Sequence, residues 1–226
     1  MTKMVVFDMA GTTIDEDNVV YKTLQKVING AGYDFSLEQV LAIGAGKEKL
    51  QAIKDIIRSD DRYQEAGFAE KLYTIFDKEL ATAYDSLDVK PQPGAEELFE
   101  TLRKKDIRVV LNTGYNRVTA SSLLEKLHWV EGEQIDSLVT ATDVGENRPL
   151  PDMILLAMKQ FSINSAKDVV KVGDSIIDIE EGQNAGCGYS IGITTGAHTS
   201  EQLITANPDF IIGSLAELPA ILNLPA

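Results

Sequence analysis

The chain has 226 residues, of which 44% are hydrophobic and 25% charged, with a formal net charge of −14 and one cysteine, Cys187. This composition predicts a globular protein with one sizeable core, or a core plus a small accessory domain, and it excludes bulk disorder. The negative charge argues against nucleic acid or an anionic membrane as a partner, and a single cysteine excludes an internal disulfide.

The first predicted strand is a short apolar run, Lys3-Met-Val-Val-Phe-Asp8, which ends in a carboxylate and is followed by a turn at Gly11. Between residues 19 and 83 no convincing strand is found, and a helix is predicted over 68–83. Apolar residues recur there at helical spacing, at Val20, Leu24, Val27 and Ala31, and again at Leu50, Ile53 and Ile57. We therefore expect this segment to be entirely helical.

After Pro91-Gln-Pro-Gly94, helices alternate with apolar strands. Helices are predicted at 95–104, at 118–127 and from Pro151, and strands at 108–112, 137–140, 169–173, 189–194 and 210–212. Nearly continuous apolar strands separated by helices indicate a parallel sheet covered on both faces. The predicted fold class is α/β: a doubly wound, Rossmann-like core (residues 1–15 and 90–226) with an inserted α-helical cap domain (residues 16–89). Linkers near 15–18 and 85–93 are the expected hinges.

Polar side chains follow several of these strands, at the edge where ligands bind in an open parallel sheet. Asp8, Thr113 and Asp174 each end or directly follow a predicted strand. Arg148 precedes the helix expected to begin near Pro149, and Asp178 lies one helical turn after Asp174. A carboxylate nucleophile, a hydroxyl, a cation and further carboxylates are the groups needed for phosphoryl transfer through an aspartyl-phosphate.

The attacking carboxylate and the phosphorus group are both anionic, so a divalent cation must lie between them. Mg²⁺ is expected, because it accepts a few carboxylate oxygens while it retains water and substrate oxygens. Asp8, Asp174 and the backbone carbonyl of Ala10 can supply the protein ligands. Thr113 can donate to the phosphoryl oxygens, and Arg148 can balance their charge.

Four segments resemble the four motifs of the haloacid dehalogenase-like hydrolase superfamily, and the resemblance covers the whole chain. They are Asp8-Met-Ala-Gly-Thr-Thr-Ile-Asp15, Asn112-Thr-Gly, Arg148-Pro-Leu-Pro-Asp and Gly173-Asp-Ser-Ile-Ile-Asp178. The first motif further resembles the phosphonatase (phosphonoacetaldehyde hydrolase) branch. The resemblance implies an aspartyl-phosphate on Asp8, Mg²⁺ held by Asp8, Ala10, Asp174 and Asp178, and substrate binding by Thr12, Gly114 and Tyr115.

Position 10 lacks the acidic residue that most phosphatases of this superfamily have there. Most phosphatases of this superfamily have an Asp two residues after the nucleophile, which protonates the departing alcohol, and such catalysis is worth about 10²–10⁴-fold. Here that residue is Ala10. In phosphonatases a cap lysine instead condenses with the substrate aldehyde, so that the C–P bond breaks with its electrons flowing into an iminium. The spacing in Gly44-Ala-Gly-Lys47 matches that lysine, which predicts a catalytic role for Lys47 and leaves Lys49 as the second candidate.

One departure from the family is Leu50, where phosphonatases carry a histidine. Three hypotheses therefore stay open: C–P hydrolysis of a phosphonoacetaldehyde-type substrate, a phosphatase acting on a small phosphorylated metabolite, and a silent binding protein that kept the fold. The intact site residues disfavour the third. The expected partner is a small organophosphorus substrate, and the resemblance implies a homodimer.

The expected location is cytoplasmic. No apolar run approaches the roughly 20 residues that span a bilayer. The beginning, Met-Thr-Lys followed by a strand-like run, predicts no cleavable signal peptide.

Overall fold

A six-stranded parallel sheet forms the centre of the molecule in the computed structural model, which describes residues 1–60 and 65–224. The strands of the described residues are β1 (Met4–Phe7), β2 (Ile14–Asp15), β3 (Lys90–Pro91), β4 (Arg108–Thr113), β5 (Ser137–Thr140), β6 (Val169–Gly173), β7 (Tyr189–Ile193) and β8 (Phe210–Ile212). The sheet order is β5-β4-β1-β6-β7-β8, with every neighbouring pair parallel. The predicted doubly wound α/β core is confirmed.

Strand β1 shows why the sheet is covered on both sides. All four of its residues are buried apolar side chains. Successive side chains of a strand point to opposite faces, and accordingly Val5 and Phe7 join one hydrophobic cluster while Met4 and Val6 join the other. The polar Asp8, directly after the strand, is thereby held at its carboxyl end, in the middle of the sheet.

The helices of the described residues are α1 (Val19–Gly30), α2 (Leu37–Gly44), α3 (Lys49–Arg58), α4 (Phe68–Ser86), α5 (Ala95–Lys104), α6 (Arg117–Leu127), α7 (Asp152–Gln160), α8 (Ile176–Ala185), α9 (Ser200–Leu203) and α10 (Leu218–Ile221). None of them is long and apolar enough to cross a membrane. The helix predicted from Pro151 begins at Asp152 with Pro151 as its N-cap, and a start near Pro149 is too early because residues 148–149 form a turn.

Helices α1–α4 lie between β2 and β3, and we call residues 19–86 the helical insertion. Helix α1 packs along α4, and α2 packs against α3. Leu24 and Ile28 of α1 and Phe76 and Leu80 of α4 are buried together in the same cluster. The described residues of this segment contain no strand, as the sequence predicted.

The two linkers to the helical insertion pair with each other, which the sequence did not predict. Strands β2 and β3 are antiparallel, with Ile14 opposite Pro91 and Asp15 opposite Lys90. Two residues are too few to produce a readable periodicity, so only the structure reveals this ribbon. Asp17 and Asn18 follow it with φ of 52° and 53°, a conformation that Asn and Asp tolerate better than most residues.

Candidate active site

Asp8 and Arg148 form the centre of the site. Asp8 is buried, and its Oδ1 accepts a hydrogen bond from Arg148 Nη1 at 2.7 Å. Burial raises the pKa of Asp8, and the nearby charge of Asp178 raises it further, whereas Arg148 opposes the rise. Burial works against the charge of Arg148, but the carboxylates of Asp178, Glu181 and Asp8 raise its pKa, so the guanidinium stays charged.

Asp174 and Asp178 complete a cluster of carboxylates with Asp8, in which one oxygen from each lies within 4.8 Å of the others. Asp174 follows β6, and its Oδ2 accepts from the backbone amide of Ala197 at 2.6 Å. Burial and the neighbouring carboxylates raise the pKa of Asp174 well above its usual range. Asp178 is already engaged: its Oδ1 lies 2.8 Å from Arg148 Nη1, and its Oδ2 accepts from the Ser175 hydroxyl at 2.5 Å.

A second layer of charge lies beneath this cluster and was missed at the level of sequence. Lys171 and Glu181 are fully buried, with Lys171 Nζ 3.0 Å from both Asp178 Oδ1 and Glu181 Oε2. Asn112 Nδ2 donates to both oxygens of Glu181, and Asn112 Oδ1 accepts from Arg148 Nη2 at 2.6 Å. The available signal was a lysine inside the otherwise apolar strand β6.

The buried charges test whether a divalent cation fits. Four buried carboxylates, Asp8, Asp174, Asp178 and Glu181, lie around two buried cations, Arg148 and Lys171. Even when the nearby amine of Lys49 is counted as charged, four negative and three positive charges leave at least one negative charge uncompensated. Uncompensated buried charge is strongly unfavourable, and an all-oxygen donor set suits Mg²⁺. The residues present therefore fit a magnesium ion.

Two further loops contribute the predicted phosphoryl-binding groups. Thr113 is buried at the end of β4, where its Oγ1 accepts from the backbone amide of Tyr115 at 3.2 Å. Gly114 lies between these two residues and lines the pocket that contains Asp8 and Arg148. Thr12 Oγ1 is buried and has no hydrogen-bond partner among the described residues. Such a hydroxyl is costly unless something binds it.

The helical insertion contacts this edge of the core through the loop that precedes α3. A Cβ added at Gly46 would lie 2.2 Å from Ile177 Cγ2 and 2.3 Å from Ser175 Oγ, both in the core. A Cβ at Gly114 would lie 2.5 Å from the carbonyl oxygen of Lys47. The two glycines allow a closer backbone approach than any other residue would.

The two candidate lysines are placed differently. Lys47 Nζ pairs with Asp55 Oδ2 at 2.5 Å, and its side chain is 27% exposed, outside the residues that line the Asp8 pocket. Lys49 is 6% exposed and lines that pocket with Asp8 and Arg148. The structure thus brings Lys49, and not the first candidate Lys47, beside the core site. Gly46-Lys-Glu-Lys49 repeats the Gly-Xaa-Xaa-Lys spacing two residues later, so the sequence contains two lysines at the spacing that the family's lysine has.

Aromatic rings surround the Lys49 ammonium, which lies 5.1 Å from the centre of the Tyr115 ring and 5.5 Å from that of Tyr21. Its Nζ donates to the carbonyl of Lys47 at 2.8 Å. Burial lowers the pKa of Lys49, while the charge of Asp8 opposes the change. An amine whose pKa is lowered in this way is better suited to act as a nucleophile.

Little space remains between these groups. The cavity lined by Asp8, Lys49, Thr113, Tyr115 and Arg148 has a volume of about 10 Å³, roughly the room that a single water needs. A molecule larger than a water does not fit this cavity in the arrangement that the structure describes.

Comparisons with known proteins agree with this geometry. The family model described as haloacid dehalogenase-like hydrolase matches residues 2–186. A protein of Parabacteroides distasonis named phosphonoacetaldehyde hydrolase is 27% identical, and the match covers 97% of this chain and 95% of the relative.

Two solved structures share the fold. A phosphonoacetaldehyde hydrolase like protein from Oleispira antarctica superposes with a TM-score of 0.86 at 23% identity, covering 98% of this chain and 91% of that one. A hydrolase from Pseudomonas syringae gives a TM-score of 0.85 at 22% identity, with both chains covered completely.

Proposed function

The chain belongs to the haloacid dehalogenase-like hydrolase family, and on that premise we propose that it is a phosphonatase that cleaves the C–P bond of a phosphonoacetaldehyde-type substrate. Asp8 is the nucleophile of this reaction, and Lys49 is the amine that binds the aldehyde. The observation that carries the proposal is the position of Lys49, a buried amine beside Asp8 in a site that has Ala10 in place of the usual acid.

The core residues bind and orient the phosphonate. Asp8, Asp174 and the carbonyl of Ala10 hold Mg²⁺, which when bound neutralises the repulsion between the attacking carboxylate and the phosphonate oxygens. Asp178 supports the site from beneath, because both of its oxygens already interact with Arg148, Lys171 and Ser175.

Phosphoryl oxygens need donors and positive charge around them. Thr113, Gly114 and the unpaired Thr12 hydroxyl supply the hydrogen bonds, and Arg148 supplies the charge. In addition, the ion pair of Arg148 with Asp8 Oδ1 fixes the nucleophile and opposes its protonation.

Lys49 takes over the task that an acid has in phosphate ester hydrolysis. Its free amine adds to the substrate aldehyde, and the adduct takes up a proton and loses water to give an iminium. Asp8 then attacks phosphorus, the C–P bond breaks, and its electron pair moves into the iminium to leave an enamine. Protonation at carbon and hydrolysis release acetaldehyde from Lys49, and water releases phosphate from Asp8.

The helical insertion acts as a cap domain in this scheme. It carries Lys49 to the core, and it opens for substrate entry about the paired linkers β2 and β3. Its closure through Gly46 and Gly114 excludes water while the iminium and the aspartyl-phosphate exist. The domain boundaries, the homodimer and the cytoplasmic location stay predictions from the sequence.

The neighbouring lysines offer a matched test of the proposal. Phosphate release from phosphonoacetaldehyde should require Mg²⁺ and should fall at least about 10³-fold in Lys49→Arg, because a guanidinium keeps the charge but cannot form an iminium. Lys47→Arg removes the same kind of side chain two residues away, and we expect it to retain most of the activity.

Two results would overturn the proposal. One is full activity in Lys49→Arg. The other is hydrolysis of simple phosphate esters by the native protein with no turnover of phosphonoacetaldehyde, which would favour the alternative phosphatase.

A further inference from the structure

Glu16 is a buried carboxyl group to which the mechanism above gives no task. It follows β2 directly, in the first linker to the helical insertion, and is only 3% exposed. Its Oε2 accepts from the backbone amide of Val20 at 3.2 Å and from the hydroxyl of Tyr84 at 2.8 Å. A buried carboxyl at a hinge with so few partners is unfavourable for folding, so a function is worth seeking.

The hydrogen bonds of Glu16 continue toward the active site. Tyr84 Oη lies 2.8 Å from Tyr115 Oη. A phenol has one proton to donate. Tyr84 gives its proton to the ionised Glu16 and therefore accepts from Tyr115. The chain thus runs in one direction, from Tyr115 through Tyr84 to Glu16, across the core, α4 and the linker.

The far end of this chain is the ring beside Lys49. Tyr115 is both the last phenol of the chain and the ring whose centre is 5.1 Å from the Lys49 ammonium. With its own proton donated to Tyr84, the Tyr115 oxygen offers only lone pairs to the pocket. Lys49 Nζ lies over the face of this ring and donates to the Lys47 carbonyl, so it must shift toward the Tyr115 oxygen before that oxygen can accept its proton.

The mechanism needs such an acceptor. Lys49 must lose a proton before it adds to an aldehyde, and the charged groups that face it are Asp8, Arg148, Glu48 and Glu16. Asp8 must stay ionised to attack phosphorus, and Arg148 stays protonated. Glu48 already accepts from two backbone amides at the start of α3. Glu16 is therefore the group left to take the proton.

We propose that Glu16 is the proton acceptor for Lys49, with the hydrogen-bonded pair Tyr115 and Tyr84 between them; this inference rests on the proposed function. Once its side chain has shifted from the ring face to the phenol oxygen, the Lys49 ammonium gives a proton to Tyr115, Tyr115 gives its own to Tyr84, and Tyr84 gives its own to Glu16. The net change is from ammonium and carboxylate to amine and carboxylic acid, with both phenols restored. The same path returns the proton to the amine–aldehyde adduct, whose hydroxyl then leaves as water to give the iminium.

The surroundings of Glu16 suit this exchange. Burial raises its pKa to about 7 against the opposing effects of Tyr84, Val20, Lys49 and Lys22. Tyr21 and Tyr115 face Glu16 as well. Burial also lowers the pKa of Lys49, which brings it closer to that of Glu16. The two groups therefore approach each other in proton affinity, which is the condition for easy transfer between them.

Two substitutions cut the path at different points. Glu16→Gln keeps the shape but removes the acceptor, and Tyr84→Phe keeps the acceptor but breaks the chain. The measurement is the rate at which borohydride traps phosphonoacetaldehyde on Lys49, followed against pH. Native protein should show a rate that rises with pH through about 7, as Glu16 ionises.

Each variant should trap about 10²-fold more slowly at neutral pH and should lose the rise near pH 7. The double variant should be no slower than either single one, because residues that act as a unit are not additive. Glu16→Asp should keep the rise and recover part of the rate. A purely structural role would lower the melting temperature and leave the pH profile unchanged.

The outcomes separate this inference from the proposed function. If native protein forms no adduct on Lys49, the proposed function fails. If native protein is trapped and Glu16→Gln or Tyr84→Phe keeps both the rate and the rise near pH 7, the proposed function stands and the proton path is wrong.

Discussion

Replacing Gly46 by alanine tests the closed contact between the helical insertion and the core. Gly46 has a φ of +74°, and Gly94, at the start of α5, has a φ of +82°. An alanine at either position must adopt the left-handed backbone conformation, which lowers the stability of the fold by about 1–2 kcal/mol. Only at Gly46 does the new Cβ meet the core, at 2.2 Å from Ile177 and 2.3 Å from Ser175, whereas at Gly94 nothing described lies within 4 Å.

The clash at Gly46 acts on the closed state alone. Overpacking costs about 1–3 kcal/mol, and each 1.4 kcal/mol changes an equilibrium by about tenfold. The closed population, and with it kcat/KM, should therefore fall about 10- to 100-fold in Gly46→Ala. Gly94→Ala should lose a similar free energy of unfolding in urea and keep its activity.

Phosphate release and urea unfolding, measured on both variants, check these values. If Gly46→Ala were as active as Gly94→Ala, the close approach of the insertion loop to Ser175 and Ile177 would not matter for turnover. Closure of the helical insertion at this loop would then not limit the reaction.

Four further predictions follow from the site and its surroundings. Asp8→Asn should abolish phosphate release, and the iminium trapped on its lysine should retain the phosphonate group, which mass spectrometry detects. Thr12→Val, which removes a buried unpaired hydroxyl, should leave the melting temperature unchanged or higher and should raise KM for the phosphonate. Lys171→Met should lower the free energy of unfolding by about 3–5 kcal/mol, because it removes one of the two buried cations and leaves Asp178 and Glu181 to share Arg148. Burial raises the pKa of Glu16 to about 7 from 4.5. The stability that Glu16 confers is therefore complete below pH 4.5 and is lost as the pH rises through 7, by roughly 3 kcal/mol. In Glu16→Gln, the free energy of unfolding measured in urea should change less with pH over that range.

Much of the core could be predicted because its signals are local. Strands β5, β6 and β8 lie at the predicted residues, since short apolar runs bounded by turns are readable from the sequence. The rule that ligands bind at the carboxyl ends of parallel strands then correctly brought Asp8 and Asp174 to one edge. Helix α2 gave no such signal, because only Val40 and Gly44 of it are buried.

The choice between the two lysines could not be made from the sequence. Gly44 and Gly46 each precede a lysine by three residues, so the spacing alone fits both. What decides between them is tertiary: Gly46 lies against Ser175, and this register turns Lys49 toward the pocket while Lys47 pairs with Asp55.

The hydrogen bonds between Glu16, Tyr84 and Tyr115 also could not be predicted from the sequence. Tyr84 is 68 residues from Glu16 and 31 from Tyr115, and each would be taken from the sequence for an ordinary helix or loop residue. Only the packing of α4 between the first linker and the core brings their polar atoms together.

The most direct test of the central claim is peptide mapping of the native protein after incubation with phosphonoacetaldehyde and borohydride. We expect one reduced adduct, on Lys49. This adduct should lack the phosphonate group, because Asp8 has already attacked its phosphorus. An adduct on Lys47, or the absence of any adduct in a preparation that releases phosphate from this substrate, would contradict it.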